Sequence, residues 1–102
     1  MAGHKKWRDI RRERENDPDY RAAYERADRA MRFGDAVRAA REAVGISQAE
    51  LARRMGTGQP TIARLELGGV DPKLSTIERI NEALGTRLIL EFQPTDAATV
   101  GD

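Results

Sequence analysis

The feature that most restricts the fold of this chain is the close spacing of helix start and stop signals between Gly45 and Gly85. Gly45 is a stop signal for a helix that precedes it. Ser47 suits an N-cap, and Glu50 three residues later completes an S-x-x-E capping box. Gly56 ends that helix. Thr57-Gly58-Gln59-Pro60 opens the next, since a proline without an N–H fits only in a first turn. Gly68-Gly69 stops it, Asp71-Pro72 makes a turn, Ser75 with Glu78 caps a further helix, and Gly85 closes it. Between these marks the apolar residues recur at helical spacing: Leu51, Ala52 and Met55, then Ile62 and Leu65, then Ile77, Ile80 and Leu84. Such punctuation leaves room for short helices around one small core, so Leu51, Ala52, Ile62, Leu65, Ile77, Ile80 and Leu84 are expected inside.

The flanks read differently. Lys5–Glu15 is arginine-rich, with Trp7 and Ile10 on the edge of a possible short helix. Asp17-Pro18-Asp19 is a helix start: an N-cap, a first-position proline and an acid in the first turn. Tyr20, Tyr24, Ala27 and Met31 fall at helical spacing, as do Phe33, Val37, Ala40 and Val44, and Gly34 lies between the two offset stripes. One long helix and two helices both fit. An internal glycine costs only about 1 kcal/mol, which leans towards the first. After Gly85 the period changes to two, and Arg87–Phe92 puts Leu88, Leu90 and Phe92 on one face of a predicted strand. A lone strand leaves its ladder groups unpaired, so the same strand of a second copy is the expected partner.

Composition narrows the chemistry. With no Cys and a single His, His4, disulfides, thiol catalysis and Cys- or His-pair metal sites are excluded, and no catalytic residue, metal or cofactor is expected. No nucleophile–base set, carboxylate pair or phosphate loop points to an enzyme. No apolar run approaches a membrane span, and Met1–Trp7 lacks the apolar stretch of a secretory signal, so no membrane partner and a cytoplasmic setting are expected. The net charge is only +1. The basic excess is confined to residues 1–16, so a nucleic-acid role has to rest on local geometry rather than overall charge.

Residues 47–66 supply that geometry. Two short helices joined by a glycine-containing turn are the layout of a helix-turn-helix, whose second helix presents its first turn to base edges in the major groove. Gln59, Thr61 and Arg64 are the hydrogen-bonding residues such a turn needs, while Ile62 and Leu65 form an apolar back. A capping box alone occurs at many helix starts, and Gln59 or Thr61 alone would be ordinary solvated residues. The ordered set is what carries weight. From Gly45-Ile46-Ser47-Gln48-Ala49-Glu50-Leu51-Ala52 through Glu66-Leu67-Gly68 and Pro72, residues 35–85 resemble the Xre/Cro-type helix-turn-helix family of lambdoid phage repressors. The resemblance implies that Gln48 anchors on a phosphate, a role that a helix N-terminus favours independently. It also implies DNA contact from Thr57 in the turn, base reading by Gln59 and Thr61, guanine or phosphate contact by Arg64, and backbone contact by Lys73. Arg41 and Glu66 match a partly buried ion pair tying the first helix to the recognition helix. Two positions depart from the pattern. Pro60 can offer only an apolar contact, for instance to a thymine methyl, and Leu67 replaces a polar residue that often touches phosphate.

With the Asp17-Pro18-Asp19-Tyr20-Arg21-Ala22-Ala23-Tyr24 arm in front and Arg87–Phe92 behind, the chain also resembles the HigA-type antitoxins of bacterial toxin–antitoxin pairs. That resemblance implies a homodimer that binds double-stranded operator DNA, represses its own operon and masks a RelE/HigB-like ribonuclease toxin. The expected architecture is all-α. It comprises an N-terminal helical arm over 1–33 for the partner, a helix-turn-helix bundle over 34–85, one dimerising β-strand over 86–93 and a flexible tail over 94–102. Trp7, Ile10, Tyr20, Tyr24, Met31 and Phe33 are the candidate toxin contacts, because one small core cannot cover both stripes of the arm. Leu88, Leu90 and Phe92 are the candidate dimer contacts. The alternative is a stand-alone dimeric Xre-family transcriptional regulator without a toxin.

Overall fold

The computed structural model describes residues 16–95, so the possible short helix with Trp7 and Ile10, and the end of the tail, lie outside the described residues. Four helices follow one another: α1 Pro18–Val44, α2 Gln48–Met55, α3 Gln59–Glu66 and α4 Leu74–Leu84. None of them is long and apolar enough to cross a membrane.

The caps are largely those the residue types demand. The Asp17 carboxylate accepts the Asp19 N–H at 2.9 Å, and Pro18 takes the first position of α1. Ser47 Oγ accepts the Glu50 N–H at 3.0 Å. Gly45, Gly56 and Gly85 close α1, α2 and α4 in the left-handed conformation that only glycine adopts freely. One cap differs from expectation. The last helix begins two residues early, with Lys73 as its N-cap and no side-chain cap bond, so Ser75 lies inside α4.

The core is formed by Val37 of α1, Leu51 and Ala52 of α2, Ile62 and Leu65 of α3, and Ile80 and Leu84 of α4. Ile77, expected inside, is half-buried at the wall of an apolar groove between α1 and α4, which Phe33, Ala36 and Ala40 also line. α3 packs against both α2 and α1, and α4 does the same from the other side.

α1 is one continuous 27-residue helix that runs through the expected arm boundary at residue 33 without a break. Gly34 is buried in its middle for a steric reason. A Cβ built there would lie 2.5 Å from the Leu65 carbonyl oxygen and 2.7 Å from that of Glu66. The long helix therefore crosses the C-terminal end of α3 backbone to backbone, and glycine is the residue that permits it. One turn earlier, buried Ala30 and the Met31 backbone lie against the Gly68–Asp71 loop. Part of the arm is thus built into the domain.

The C-terminal strand is a correction. Residues 86–95 are irregular, and there is no strand among the described residues. Alternation of side chains does not make a strand without a ladder partner, and the described chain holds no other extended segment to supply one. The expected sorting of faces is missing too. Leu90 and Phe92 are exposed, as is Ile89 of the opposite face, while Leu88, at 43%, is the least exposed of the four. The segment's last hydrogen bonds to the bundle are at Thr86, whose N–H donates to the Asn81 carbonyl at 3.1 Å.

Gly34→Ala separates the steric argument from helix propensity. Propensity alone would raise stability by about 1 kcal/mol. The crossing predicts instead a loss of about 1–3 kcal/mol in urea unfolding, because the new methyl group forces α1 off α3.

Candidate nucleic-acid interface

α3 has two unlike sides. Ile62, Leu65 and Glu66 are buried, whereas Gln59, Pro60, Thr61 and Arg64 are exposed together along its first turn and the next. The turn before it explains how that end stays open. Gly56 reverses the chain, the Thr57 N–H donates to the Ala52 carbonyl at 2.9 Å, and Gly58 caps α3 without a side chain. Thr57 itself is half-buried. Lys73 is exposed at the start of α4, at the other end of the loop that follows α3.

Glu66 holds this helix to the rest of the domain. It is 3% exposed, and Arg41 grips it with two hydrogen bonds, Nε to Oε2 at 2.7 Å and Nη2 to Oε1 at 3.0 Å. Arg41 also donates Nη1 to the Ile46 carbonyl at 2.8 Å. Gln48 Nε2 donates to Glu66 Oε1 at 3.1 Å. One network thus joins α1, the start of α2 and the end of α3. Gln48, expected as a phosphate anchor, has one N–H committed inside the protein and a second remaining on the same nitrogen. Burial by itself would raise the Glu66 pKa. The hydrogen bonds from Arg41 and Gln48, with the charges of Arg41 and Arg38, outweigh it and hold the carboxyl below its ordinary value.

The remaining arginines sort into committed and uncommitted groups. Arg53 and Arg54 both bind Glu50, at 2.6 and 3.1 Å, and their hydrogen bonds bring its pKa down to about 2. Arg54 and Arg79 also brace α2 against α4, donating to the carbonyls of Ala83 at 3.0 Å and Met55 at 2.7 Å. The sequence carries no signal for these braces, because a bond to a main-chain carbonyl requires no particular partner residue. Arg32 pairs with Asp28, and Arg38 with Asp35. Arg64 and Lys73, in contrast, have no ion pair among the described residues. α3 and the loop after it therefore offer two uncommitted cations, Arg64 and Lys73, and the exposed groups Gln59, Pro60 and Thr61, while the C-terminal end of the helix is tied down by the Arg41–Glu66 pair.

The other candidate residues separate spatially. Tyr20, Tyr24 and Met31 share one face of α1, with Tyr24 and Met31 well exposed, and exposed Leu67 lies beside Met31. Phe33 points elsewhere, half-buried against the core. Leu88 borders the α1–α4 groove, while Leu90 and Phe92 are exposed beyond it.

The Glu66 network predicts an acid dependence. A carboxyl whose folded pKa is depressed contributes stability that is fully present above its unfolded value, near 4.3, and is lost as pH falls through the folded pKa. Stability should accordingly fall as the medium is acidified below about pH 4.3. Glu66→Gln should cost about 3 kcal/mol at neutral pH, by leaving Arg41 with only the exposed Glu42, 3.9 Å away, as counter-charge. Urea titrations at neutral and acidic pH should show the gap between variant and wild type narrowing in acid.

Comparison with known proteins agrees with this geometry. The helix-turn-helix family profile matches residues 37–90. The chain is 45% identical over 77 residues to antitoxin HigA1 of Mycobacterium tuberculosis, in two strains, covering 76% of this chain and 52% of the relative. It thus spans about half the length of those curated relatives. It is 42% identical over 48 residues to an HTH-type transcriptional regulator of Haemophilus influenzae, covering 47% of this chain and 49% of that protein. Among solved structures, the restriction-modification controller protein C.AhdI from Aeromonas hydrophila superposes with a TM-score of 0.56 at 28% identity, covering 60% of this chain and 88% of that one.

Proposed function

The chain belongs to the helix-turn-helix family, and from that premise we propose that it is a DNA-binding antitoxin that represses its own operon and neutralises a RelE/HigB-like ribonuclease toxin. The observation that carries the DNA-binding half is the open face of α3, where Gln59 and Thr61 of the first turn and Arg64 of the next are exposed together over a buried apolar back. Gln suits the N6/N7 edge of adenine, and an arginine without an ion pair suits the O6/N7 edge of guanine. Lys73 and the second Gln48 N–H serve phosphates. Thr57 lies at the mouth of the turn, and Pro60 offers a methyl contact. Two chains bind a palindrome with half-sites about 34 Å apart. The exposed Leu88, Leu90 and Phe92, beside the α1–α4 groove, are the apolar surface available for contact between copies.

The antitoxin half rests on the similarity to HigA1 and on the α1 stripe. Tyr24 and Met31 are well exposed, Met31 with Leu67 and Gly68 at its border, and Tyr20 continues the face towards the N-terminus. Exposed aromatics beside charged residues are the usual anchors of protein interfaces. Asp19, Glu25 and Asp28 on the same half of α1 complement the basic cleft that an RNA-cutting toxin needs. The similarity to the Haemophilus regulator favours a second reading, a dimeric transcriptional regulator with no toxin.

Two sets of variants test the two halves. In selection from random-sequence duplexes, Gln59→Ala, Thr61→Ala and Arg64→Ala should each relax preference at one position of the half-site, by about 1–3 kcal/mol of discrimination. Lys73→Ala should weaken binding to all sequences alike. Unchanged preference in all three would remove α3 as the reading helix. For the partner, Tyr20→Ala/Tyr24→Ala should lose neutralisation of the ribonuclease encoded next to this gene while retaining operator binding. A truncation at residue 33 is the poorer test, since Ala30 and Met31 help pack the loop after α3. Full neutralisation by the double variant would move the toxin contact off the α1 stripe, whereas an unmodified chain that neutralises nothing would leave the regulator reading in place.

A further inference from the structure

The N-terminal half of α1 carries a basic group that neither function above uses. Arg26 is exposed and lines a cleft whose other wall is the Gly68–Asp71 loop, the connection between α3 and α4. The cations assigned to DNA stand at the two ends of that loop. Arg64 lies against it so closely that a Cβ on Gly69 would come 2.7 Å from the Arg64 Cγ, and Lys73 follows it. Asp71 also lines the cleft, but it makes no ion pair with Arg26, and no carboxylate among the described residues does. Arg26 therefore differs from Arg32, Arg38, Arg41, Arg53 and Arg54, each of which is held by an acid.

We propose that Arg26 binds the DNA phosphate backbone, extending the footprint of the recognition helix onto the first helix. The proposal rests on the DNA-binding reading. A strand that passes Arg64 and Lys73 passes the loop between them, and Arg26 is the uncommitted cation on that loop's opposite wall. Guanidinium groups are well suited to such contacts, which position a protein on a duplex without reading its sequence. The helix geometry keeps this contact apart from the partner surface. Tyr24 is two residues earlier, about 200° around the helix, so the aromatic stripe faces nearly opposite to Arg26. One helix then serves operator and partner on two sides, and binding of one leaves the other's contacts free.

The test is the salt dependence of binding to a mixed-sequence DNA duplex, followed by fluorescence anisotropy, for the full chain and for Arg26→Ala, Lys73→Ala and Arg21→Ala. Arg21 also has no ion pair among the described residues and carries the same charge on the same helix, about 140° away from Arg26. Alanine is a better helix former than arginine, so these changes leave α1 intact, which circular dichroism will verify. Removing a cation that neutralises one phosphate should make the slope of log K against log salt shallower by about 0.9 per bound chain. Arg26→Ala and Lys73→Ala should show that change and Arg21→Ala should not. If Arg26→Ala keeps the wild-type slope while Lys73→Ala makes it shallower, or if Arg21→Ala flattens it as much as Arg26→Ala, the assignment of Arg26 is overturned and DNA binding stands. If the unmodified chain shows no salt-dependent binding to the duplex, the DNA-binding reading falls and Arg26 with it.

Discussion

Where α1 crosses the end of α3, two backbones touch at Gly34, and two turns further along Arg41 closes on Glu66. The orientation of α3 depends on this junction. α3 is only eight residues long and carries no side-chain cap, so it has little stability of its own. Its buried side is held by Ile62 and Leu65, and its C-terminal end by the Arg41–Glu66–Gln48 network. Burying an ion pair yields little net stability, because desolvation offsets most of the attraction. What the pair contributes is geometry. Two parallel hydrogen bonds fix a planar guanidinium against a planar carboxylate, and Gln48 fixes the start of α2 against the same carboxylate.

Local pairing, rather than net charge, gives the surface its chemistry. Residues 34–92 hold eight acids and eight bases, a balance that argues weakly against nucleic acid. Yet much of that positive charge is used internally. Arg41, Arg53 and Arg54 bind acids and two arginines brace helices, while Arg64 and Lys73 remain uncommitted on α3 and after its loop. A near-neutral domain can therefore still present uncommitted cations at its surface.

Elements closed by local chemistry were legible in the sequence, and those closed by distant contacts were not. Asp17, Ser47, Gly56, Pro60 and Gly85 act through groups within a few residues of themselves, and each sits where its chemistry places it. Ser75 carries the same signal as Ser47, but Lys73 takes the cap position and α4 begins at Leu74. Gly34 read as a weak point in a helix, whereas its lack of a side chain is what admits the carbonyls of Leu65 and Glu66, some thirty residues away. Leu88, Leu90 and Phe92 alternate as a strand would, but the ladder partner that makes a strand lies nowhere in the described chain. The candidate DNA residues were named from short spacings within the helix-turn-helix, and what the structure adds is that Gln59, Thr61 and Arg64 are exposed together. Arg26 was not, since its place beside the Gly68–Asp71 loop is a product of the long helix packing across it.

The most direct test of α3 as the DNA-reading element is an NMR titration of the isotope-labelled chain with its selected duplex, following backbone and side-chain amides. If the open turn of α3 enters the major groove, the largest shifts fall on Thr57, Gln59, Thr61, Arg64 and the Gln48 side-chain amide, while Ala36, Ala40 and Ile77 on the α1–α4 groove stay in place. Shifts centred on that groove, with the α3 amides unmoved, would contradict it.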